Sequence, residues 1–457
     1  MTSALRRGAV AVALFVIAMV YGCDAGHGFV KDDFAWIANS RVDGPGDIVR
    51  LIAPGAAGFF RPIVSLTFSI DHALFGLDPL GYGLTNVALL FACVGLLFLL
   101  LTALGFRAGV AIAGALVWAL NFQAVNMAVL WISGRTALVL VLWATAAAYA
   151  WVRGHRLLAA VFAMLGMWSK EEGFVIPAIL SVWSILDSGR DAALPLGARL
   201  RRVLADTWLL WVVAAVSLAV RGWSGAWTPA SAPSFYRYRF DLSTLLGHTY
   251  QYADRSATTP LLVFVVFWLV AGCPRISQGT DGRRRLKGAS WLVLGFLPTL
   301  LLPVRSSLYA LFPSIGVVIV LSDLVEGAAS RLTPRALNRA IAFLVLLLVA
   351  LVPVYKVRNR RYVREAELSA AVMREVATVG GERGRTVVVI RDIRDGRPTA
   401  EQAFGGLADE AGALMTDGRV RLWIEPPPAD LAGGMEPAPT EVSAVLVVES
   451  GQVTRIQ

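Results

Sequence analysis

The feature that most constrains this chain is a series of long apolar runs separated by short, arginine-bearing loops. Runs near residues 6–23, 84–104, 108–127, 136–152, 156–168, 173–187, 207–221, 259–273, 289–304, 306–325 and 340–356 are apolar enough to lie in hydrocarbon. A helix needs about 20 apolar residues to cross a bilayer, so the shorter runs must borrow flanking aromatic or polar residues. Read this way, the chain crosses a membrane about eleven times. Composition agrees: the 457 residues are 56% hydrophobic and only 16% charged. So little charge cannot cover a soluble protein of this size, but it suits one whose surface faces lipid. The formal net charge of +10 raises the question of nucleic acid as a partner. The arginines answer it by sitting in short inter-run loops, where positive charge reports topology.

The same charges orient the spans. Arg6 and Arg7 hold the N-terminus in the cytoplasm, and alternation then puts Arg107, Arg153–Arg156, Arg199–Arg202, Arg283–Lys287, Arg331, Arg335 and Arg339 on that side as well. An odd number of spans leaves the polar tail outside. Arginine in excess over lysine, with abundant alanine, matches a GC-rich bacterial source and hence a bacterial inner (cytoplasmic) membrane. Arg6-Arg7, an apolar run and Val20–Cys23 loosely imitate a lipoprotein signal, but Tyr21 fits a cleavage site poorly and many spans follow. Cys23, Cys93 and Cys273 fall outside, within a span and inside, too scattered for a disulfide framework or a metal site.

Two parts follow: a transmembrane module, 1–356, whose first outer loop covers about 24–83, and a small extracytoplasmic α/β domain, 357–457. In the latter, Arg361 to Thr378 has helical spacing, Thr386–Ile393, Val420–Ile424 and Val442–Val448 read as short buried strands, and Ala400–Met415 reads as a helix. The fold class is thus an all-α polytopic membrane protein with a small C-terminal α/β domain. That domain shows neither a nucleotide loop nor a metal-ligand cluster, and an accessory or acceptor-side role and a purely stabilising one suit it equally.

The first outer loop is chemically rich. Lys31-Asp32-Asp33-Phe34 follows the first span, then come Asn39, Phe60-Arg61-Pro62, Asp71-His72, Asp78-Pro79 and Gly81-Tyr82. Adjacent carboxylates beside hydrocarbon are costly and mark a site or a wet cavity. Side by side they can also raise one pKa toward neutrality, as a base or a metal ligand requires. For the dipeptide alone, a solvated loop start with Asp capping a short interfacial helix over Phe34–Ile37 is the better account. Arg61, Arg135, Lys170 and Arg305 add positive charge to the outer face, against the topological rule, and guanidinium and ammonium groups there suit a phosphate. Pairing with a nearby acid or a lipid headgroup would explain each one singly.

These strings resemble a family. Asp32-Asp33-Phe34…Asn39, Phe60-Arg61-Pro62…Ser65, Leu74-Phe75-Gly76-Leu77-Asp78-Pro79…Gly81-Tyr82…Leu84-Thr85-Asn86, Trp131–Arg135, Ser169-Lys170-Glu171 and Tyr309…Pro313-Ser314-Ile315-Gly316 recur in this order in GT-C-fold glycosyltransferases. The likeness is nearest to the protein O-mannosyltransferase-like group that carries tetratricopeptide repeats, and it runs from about residue 10 to 330. It implies an inverting transferase that takes a mannose-like sugar from a polyprenyl-phosphate donor among membrane lipids. The acceptor would be a hydroxyl of a protein, lipid or glycan on the outer face. The base role maps onto Asp32 or Asp33, with a divalent cation as a candidate cofactor held by the same pair. Arg61, Lys170, Arg305 and Arg135 would bind donor phosphate. Asn39, Tyr82, Trp131, Glu171 and Tyr309, with the stretch Phe235–Tyr238, would line the substrates or serve as interfacial belt residues. The chain departs from the group by lacking the repeats and by carrying glycine where Gly-Tyr-His is usual, here Gly81-Tyr82-Gly83. A transporter or flippase for lipid-linked saccharides, a non-catalytic envelope assembly protein and a polysaccharide ligase or polymerase are the competing classes.

Overall fold

In a computed structural model, the described residues are 3–52, 59–188, 195–225, 237–274, 282–380, 386–394, 396–427 and 442–456. The chain is mostly helical with a small C-terminal sheet. Among the described residues, six helices are long and apolar enough to cross a bilayer: Pro79–Ala103, Ile132–Val152, Gly197–Trp223, Leu242–Val270, Leu308–Ala329 and Pro334–Val379. A seventh span arises if the pair Ala108–Ala119 and Phe122–Leu130, bent by 64°, counts as one. Each of the eleven apolar runs is helical at least in part, although 289–304 leaves its helix after Phe296. Those at 6–23, 156–168, 173–187 and 289–304, however, form elements too short to meet the crossing criterion by length and composition.

Local chemistry sets the helix starts that matter for the site. Asp78 caps Pro79–Ala103 by accepting the Leu80 N–H at 3.0 Å, and Pro79 occupies the first turn where its missing N–H costs nothing. Pro62 opens Pro62–Phe75 in the same way. Glycines let these elements close on one another. A Cβ on Gly81 would lie 2.1 Å from the Phe75 ring, and one on Gly83 would lie 2.0 Å from the Ala25 carbonyl oxygen. The glycine at 83 is therefore sterically required here, and a histidine side chain has no room at this position.

The bend between Ala108–Ala119 and Phe122–Leu130 is held open by Asn121, whose side-chain amide donates to the Arg255 and Ser256 carbonyls at 3.0 and 3.2 Å. Nearby, Tyr21 donates to the Ala119 carbonyl and to Asn126, and Asn126 donates to Asn359 at 2.7 Å. Asn359 in turn donates to the Val20 carbonyl and Asp24. This buried polar ladder ties the first helix, the bent pair and the last long helix together, which leaves no alternative register without unsatisfied polar groups.

The helix Val352–Gly380 runs without a break from the membrane region into the C-terminal part. There β1 (Thr386–Asp392), β2 (Val420–Glu425), β3 (Ala444–Glu449) and β4 (Gln452–Arg455) form one sheet in the order β2-β1-β3-β4. β1 pairs in parallel with β2 and β3, and β3 with β4 antiparallel. The single helix expected over 400–415 is two, Ala400–Phe404 and Ala408–Thr416, because Gly405 takes a positive φ of 55° at the end of the first. β4 is an exposed edge strand with no apolar alternation, so its pattern carried no strand signal. One apolar core joins Val388, Ile390 and Leu446 of this sheet, and Leu368 and Val372 of the long helix, to Phe29, Phe34, Val64, Phe68 and Tyr82 of the segment 29–82.

Candidate active site

The acidic pair begins the helix Asp32–Asn39, where negative charge is favoured by the helix dipole. The two carboxylates have opposite environments. Asp33 is fully buried. Its Oδ2 accepts the Val30 N–H at 2.8 Å, and its Oδ1 accepts both the Ser133 N–H at 2.7 Å and the Ser133 hydroxyl. Burial outweighs those donors and pushes its pKa up to about 7. Asp32, one residue earlier, is exposed to solvent. Surrounding protein also raises its pKa, against the lowering pull of the Arg61 and Lys31 charges. Asp32 is thus the carboxylate that can meet a substrate, and Asp33 staples the turn beneath it.

The staple rests on a second buried layer. Asn86 donates from one amide nitrogen to the carbonyls of Val129, Trp131 and Ile132, at 3.1, 3.3 and 3.2 Å, and so fixes the turn that presents Ser133. Its oxygen accepts from Arg135 Nε at 2.9 Å. Arg135 is wholly buried, ion-pairs with Asp71 at 2.6 Å, donates to the Tyr82 carbonyl at 2.9 Å and stacks on Phe68 at 4.3 Å. Thr85 completes the group by donating to Asp71 at 2.8 Å. Arg135, expected at the donor phosphate, is instead committed to Asp71, Asn86 and a carbonyl out of reach of solvent. Tyr82, expected against substrate, is buried beside Phe29 and Phe68 and donates its hydroxyl to the Gly76 carbonyl. A buried guanidinium demands partners on every face, and those of Arg135 are supplied from within the packed chain, Tyr82 among them.

A cationic flank lies beside Asp32. Arg61 forms a two-point pair with Glu171, at 3.1 and 2.6 Å, and Arg221 approaches the same carboxylate at 2.8 Å. Burial would raise Glu171, but the Arg61 and Arg221 charges prevail and hold it at about 2. Two guanidinium groups thus share one carboxylate, leaving this cluster net positive. Lys170 is buried, pairs with Glu172 at 2.5 Å and lies 4.7 Å from the Tyr309 ring centroid. Tyr309 meets Tyr252 edge-on at 6.3 Å, and Tyr252 donates to the Val304 carbonyl next to Arg305. Arg305 is exposed and makes no ion pair among the described residues.

Trp131 is half-buried and donates to the Val30 carbonyl at 3.4 Å, so it braces the Asp33 turn. Asn39 is exposed at the far end of the Asp32–Asn39 helix. Phe235 and Tyr236 lie outside the described residues, whereas Tyr238 is exposed and donates weakly to the Pro298 carbonyl. Sequence reasoning passed over Ser133, Asn86, Asp71 and Arg221 as functional residues. The first three stand inside the quoted strings, but nothing local announces that they support Asp33, and Arg221 ends a helix far away. No three His, Cys, Asp or Glu side chains gather among the described residues as a metal cage. Asp33 in particular does not suit a cation, because both of its oxygens already face N–H or O–H donors.

No family model matches the chain. It is 38% identical over 101 residues to the protein O-mannosyl-transferase Tmtc1 of Drosophila melanogaster, a stretch that is 20% of this chain and 12% of that protein. Three solved structures resemble it along most of its length. The arabinofuranosyltransferase AftD from Mycobacteria aligns with 93% of this chain at a TM-score of 0.52 and 16% identity, the match spanning 32% of AftD. ArnT from Cupriavidus metallidurans, solved bound to undecaprenyl phosphate, aligns with 93% at 0.50 and 13% identity, covering 87% of ArnT. The Archaeoglobus fulgidus oligosaccharyltransferase aligns with 92% at 0.50 and 12% identity, covering 64% of that enzyme. The chain thus spans about a third of AftD and a small part of Tmtc1. These neighbours are GT-C glycosyltransferases, and the fold expected from the ordered motifs is the fold the chain has.

Proposed function

We propose that this chain is an inverting glycosyltransferase that moves a sugar, mannose-like, from a polyprenyl-phosphate donor to an acceptor hydroxyl on the extracytoplasmic face of a bacterial inner membrane. The observation that carries the reading is the contrast within the acidic pair: a solvent-facing Asp32 with raised proton affinity sits on a stapled Asp33, within the field of Arg61. A base must reach its proton and gains from a raised proton affinity, and the solvent-facing Asp32 offers both.

The acceptor oxygen attacks the anomeric carbon as its proton passes to Asp32, and the bond from that carbon to the phosphate oxygen breaks. The departing phosphate gains charge, which cations offset electrostatically. Arg61 and Arg305 are assigned that task, while Lys170, buried against Glu172 and Tyr309, supports the flank from within. Glu171 holds Arg61 in place with a two-point pair, so the guanidinium is already oriented when donor arrives. One displacement inverts the centre and requires no second nucleophilic carboxylate. The mannose-like donor draws on the similarity to Tmtc1, and the polyprenyl carrier on the ligand of ArnT. In the membrane reading, the basic loops face the cytoplasm, the shorter apolar helices complete a set of about eleven crossings, and residues 357–457 lie with Asp32 outside.

The test is transfer from radiolabelled mannosyl undecaprenyl phosphate to envelope proteins, lipids and glycans in membranes lacking and regaining the gene. Asp32→Asn should abolish transfer while retaining donor binding. A variant with full transfer removes Asp32 as base. Wild-type protein that moves the intact lipid-linked sugar across vesicles without transferring it makes the chain a flippase instead.

A further inference from the structure

The residue before the acidic pair is strained. Lys31 has φ of 49° and ψ of −125°, a combination that side-chain-bearing residues adopt only when their surroundings compel it. The compulsion comes from the C-terminal domain. The Lys31 N–H donates to the Ala403 carbonyl at 2.9 Å, and its ammonium pairs with Glu365 at 3.4 Å. Phe34, in the first turn of the catalytic helix, stacks on Phe404 at 5.9 Å. Gly28 approaches the long helix so closely that a Cβ there would come within 2.8 Å of the Ala366 oxygen. Residues 28–34 are thus wedged between the Val352–Gly380 helix and the turn at 403–405.

That turn is itself built rigidly. Thr399 and Gln402 form a reciprocal capping box at the start of Ala400–Phe404. Asp392, at the end of β1, accepts the Glu401 N–H at 3.4 Å and so ties the short helix to the sheet. Gly405 ends it with a positive φ, which leaves the Ala403 carbonyl free of the helix and aimed at Lys31.

We propose that the C-terminal domain is a positioning clamp for the Asp32–Asp33 turn, with the Ala403 carbonyl and the Phe404 ring forcing Lys31 into the backbone conformation that turns Asp32 outward and Asp33 inward. Phe404 is then a positioning residue for the reaction, although it touches no substrate. The geometry explains the choice of side for each acid: the reversal at Lys31 sets the helix start, and Val30 N–H and Ser133 capture the second carboxylate from below. The strain is absorbed by the domain's own core, which continues into Phe29, Phe34 and Ile37. The catalytic consequence rests on the transferase reading; the mechanical one does not.

The test uses the full-length chain in nanodiscs with Phe404→Ala, Phe404→Tyr and wild type. Amide hydrogen exchange over 28–34 should quicken about tenfold or more in Phe404→Ala, with exchange over Leu84–Ala103 unchanged and Phe404→Tyr close to wild type. Turnover with mannosyl undecaprenyl phosphate should fall about 10- to 100-fold in Phe404→Ala, the size expected for an ångström-scale displacement of a catalytic group, while KM for the donor stays within about twofold. Unchanged exchange over 28–34, or loosened exchange with wild-type turnover, overturns the clamp. If wild-type protein is inert with this donor, the transferase reading fails separately, and the exchange over 28–34 still decides whether the domain holds the turn.

Discussion

Breaking the Asp71–Arg135 pair should unfold the site from beneath. The pair is 2.6 Å long with side-chain exposures of 3% and 0%, so neither group can turn to water when its partner is lost. Asp71→Asn keeps an oxygen for Thr85 but leaves the Arg135 charge without its counter-ion, held by the neutral groups Asn86, the Tyr82 and Thr67 carbonyls and the Phe68 ring. An uncompensated buried charge of this kind costs about 3–5 kcal/mol. Replacing both members with apolar residues, Asp71→Leu with Arg135→Met, removes the charge problem. It leaves the Asn86 oxygen without its arginine donor, at a cost of about 1–3 kcal/mol. The double variant should therefore be more stable than Asp71→Asn and more stable than Arg135→Met alone. The coupling energy from the cycle of Asp71→Leu, Arg135→Met and their double should be at least about 2 kcal/mol. Reversible unfolding in mixed micelles, followed by tryptophan fluorescence, measures these three variants, Asp71→Asn and wild type. An Asp71→Asn variant within about 0.5 kcal/mol of wild type, or a double variant whose loss is the sum of its parts, refutes the argument that this pair is a buried, mutually dependent unit.

The acid limb of the transfer rate should lie above the range of a free aspartate, because the surrounding protein partly desolvates Asp32, and Arg61→Gln should move it further up by removing a charge that lowers it; an unmoved or lowered limb contradicts this, while rate lost at neutral pH should return at alkaline pH. Stability should respond to the two stapling acids with opposite signs. Asp33, raised from 3.8 to about 7, binds its proton more tightly when folded, so its contribution is full below pH 3.8 and is lost as pH rises through about 7. Glu171, lowered from 4.5 to about 2, contributes above pH 4.5 and loses that contribution as pH falls through about 2; comparing pH–stability curves of Asp33→Asn and Glu171→Gln with wild type reads each window, and curves that differ in the opposite windows would defeat the assignment. Gly83→His, which restores the usual Gly-Tyr-His, should fail to accumulate as folded protein or cost about 3 kcal/mol or more from overpacking against the Ala25 carbonyl, and wild-type yield and melting would show that the segment yields easily.

Much of the scaffold was legible in the residues alone. Apolar runs, proline starts such as Pro62 and Pro79, the short apolar run in Thr386–Asp392 and the alternation in Val420–Glu425 are local signals, because a helix or strand declares its pattern within about ten residues. The placement of acids at the head of a short helix was likewise readable, whereas the pairing of Arg61 with Glu171 was not. What residue types could not reveal was which member of Asp32-Asp33 faces water. Asp33 is captured by Ser133, 100 residues away, and the strain at Lys31 is held in part by Glu365, 334 residues away. Arg135 and Lys170 look alike as outer-face cations, yet Arg135 is committed to a buried network and Lys170 to Glu172 beneath Tyr309. Local pattern determines whether a segment is helical and apolar. Whether a charge is a ligand or a strut depends on which distant donors and acceptors close around it, and only the packed chain decides that.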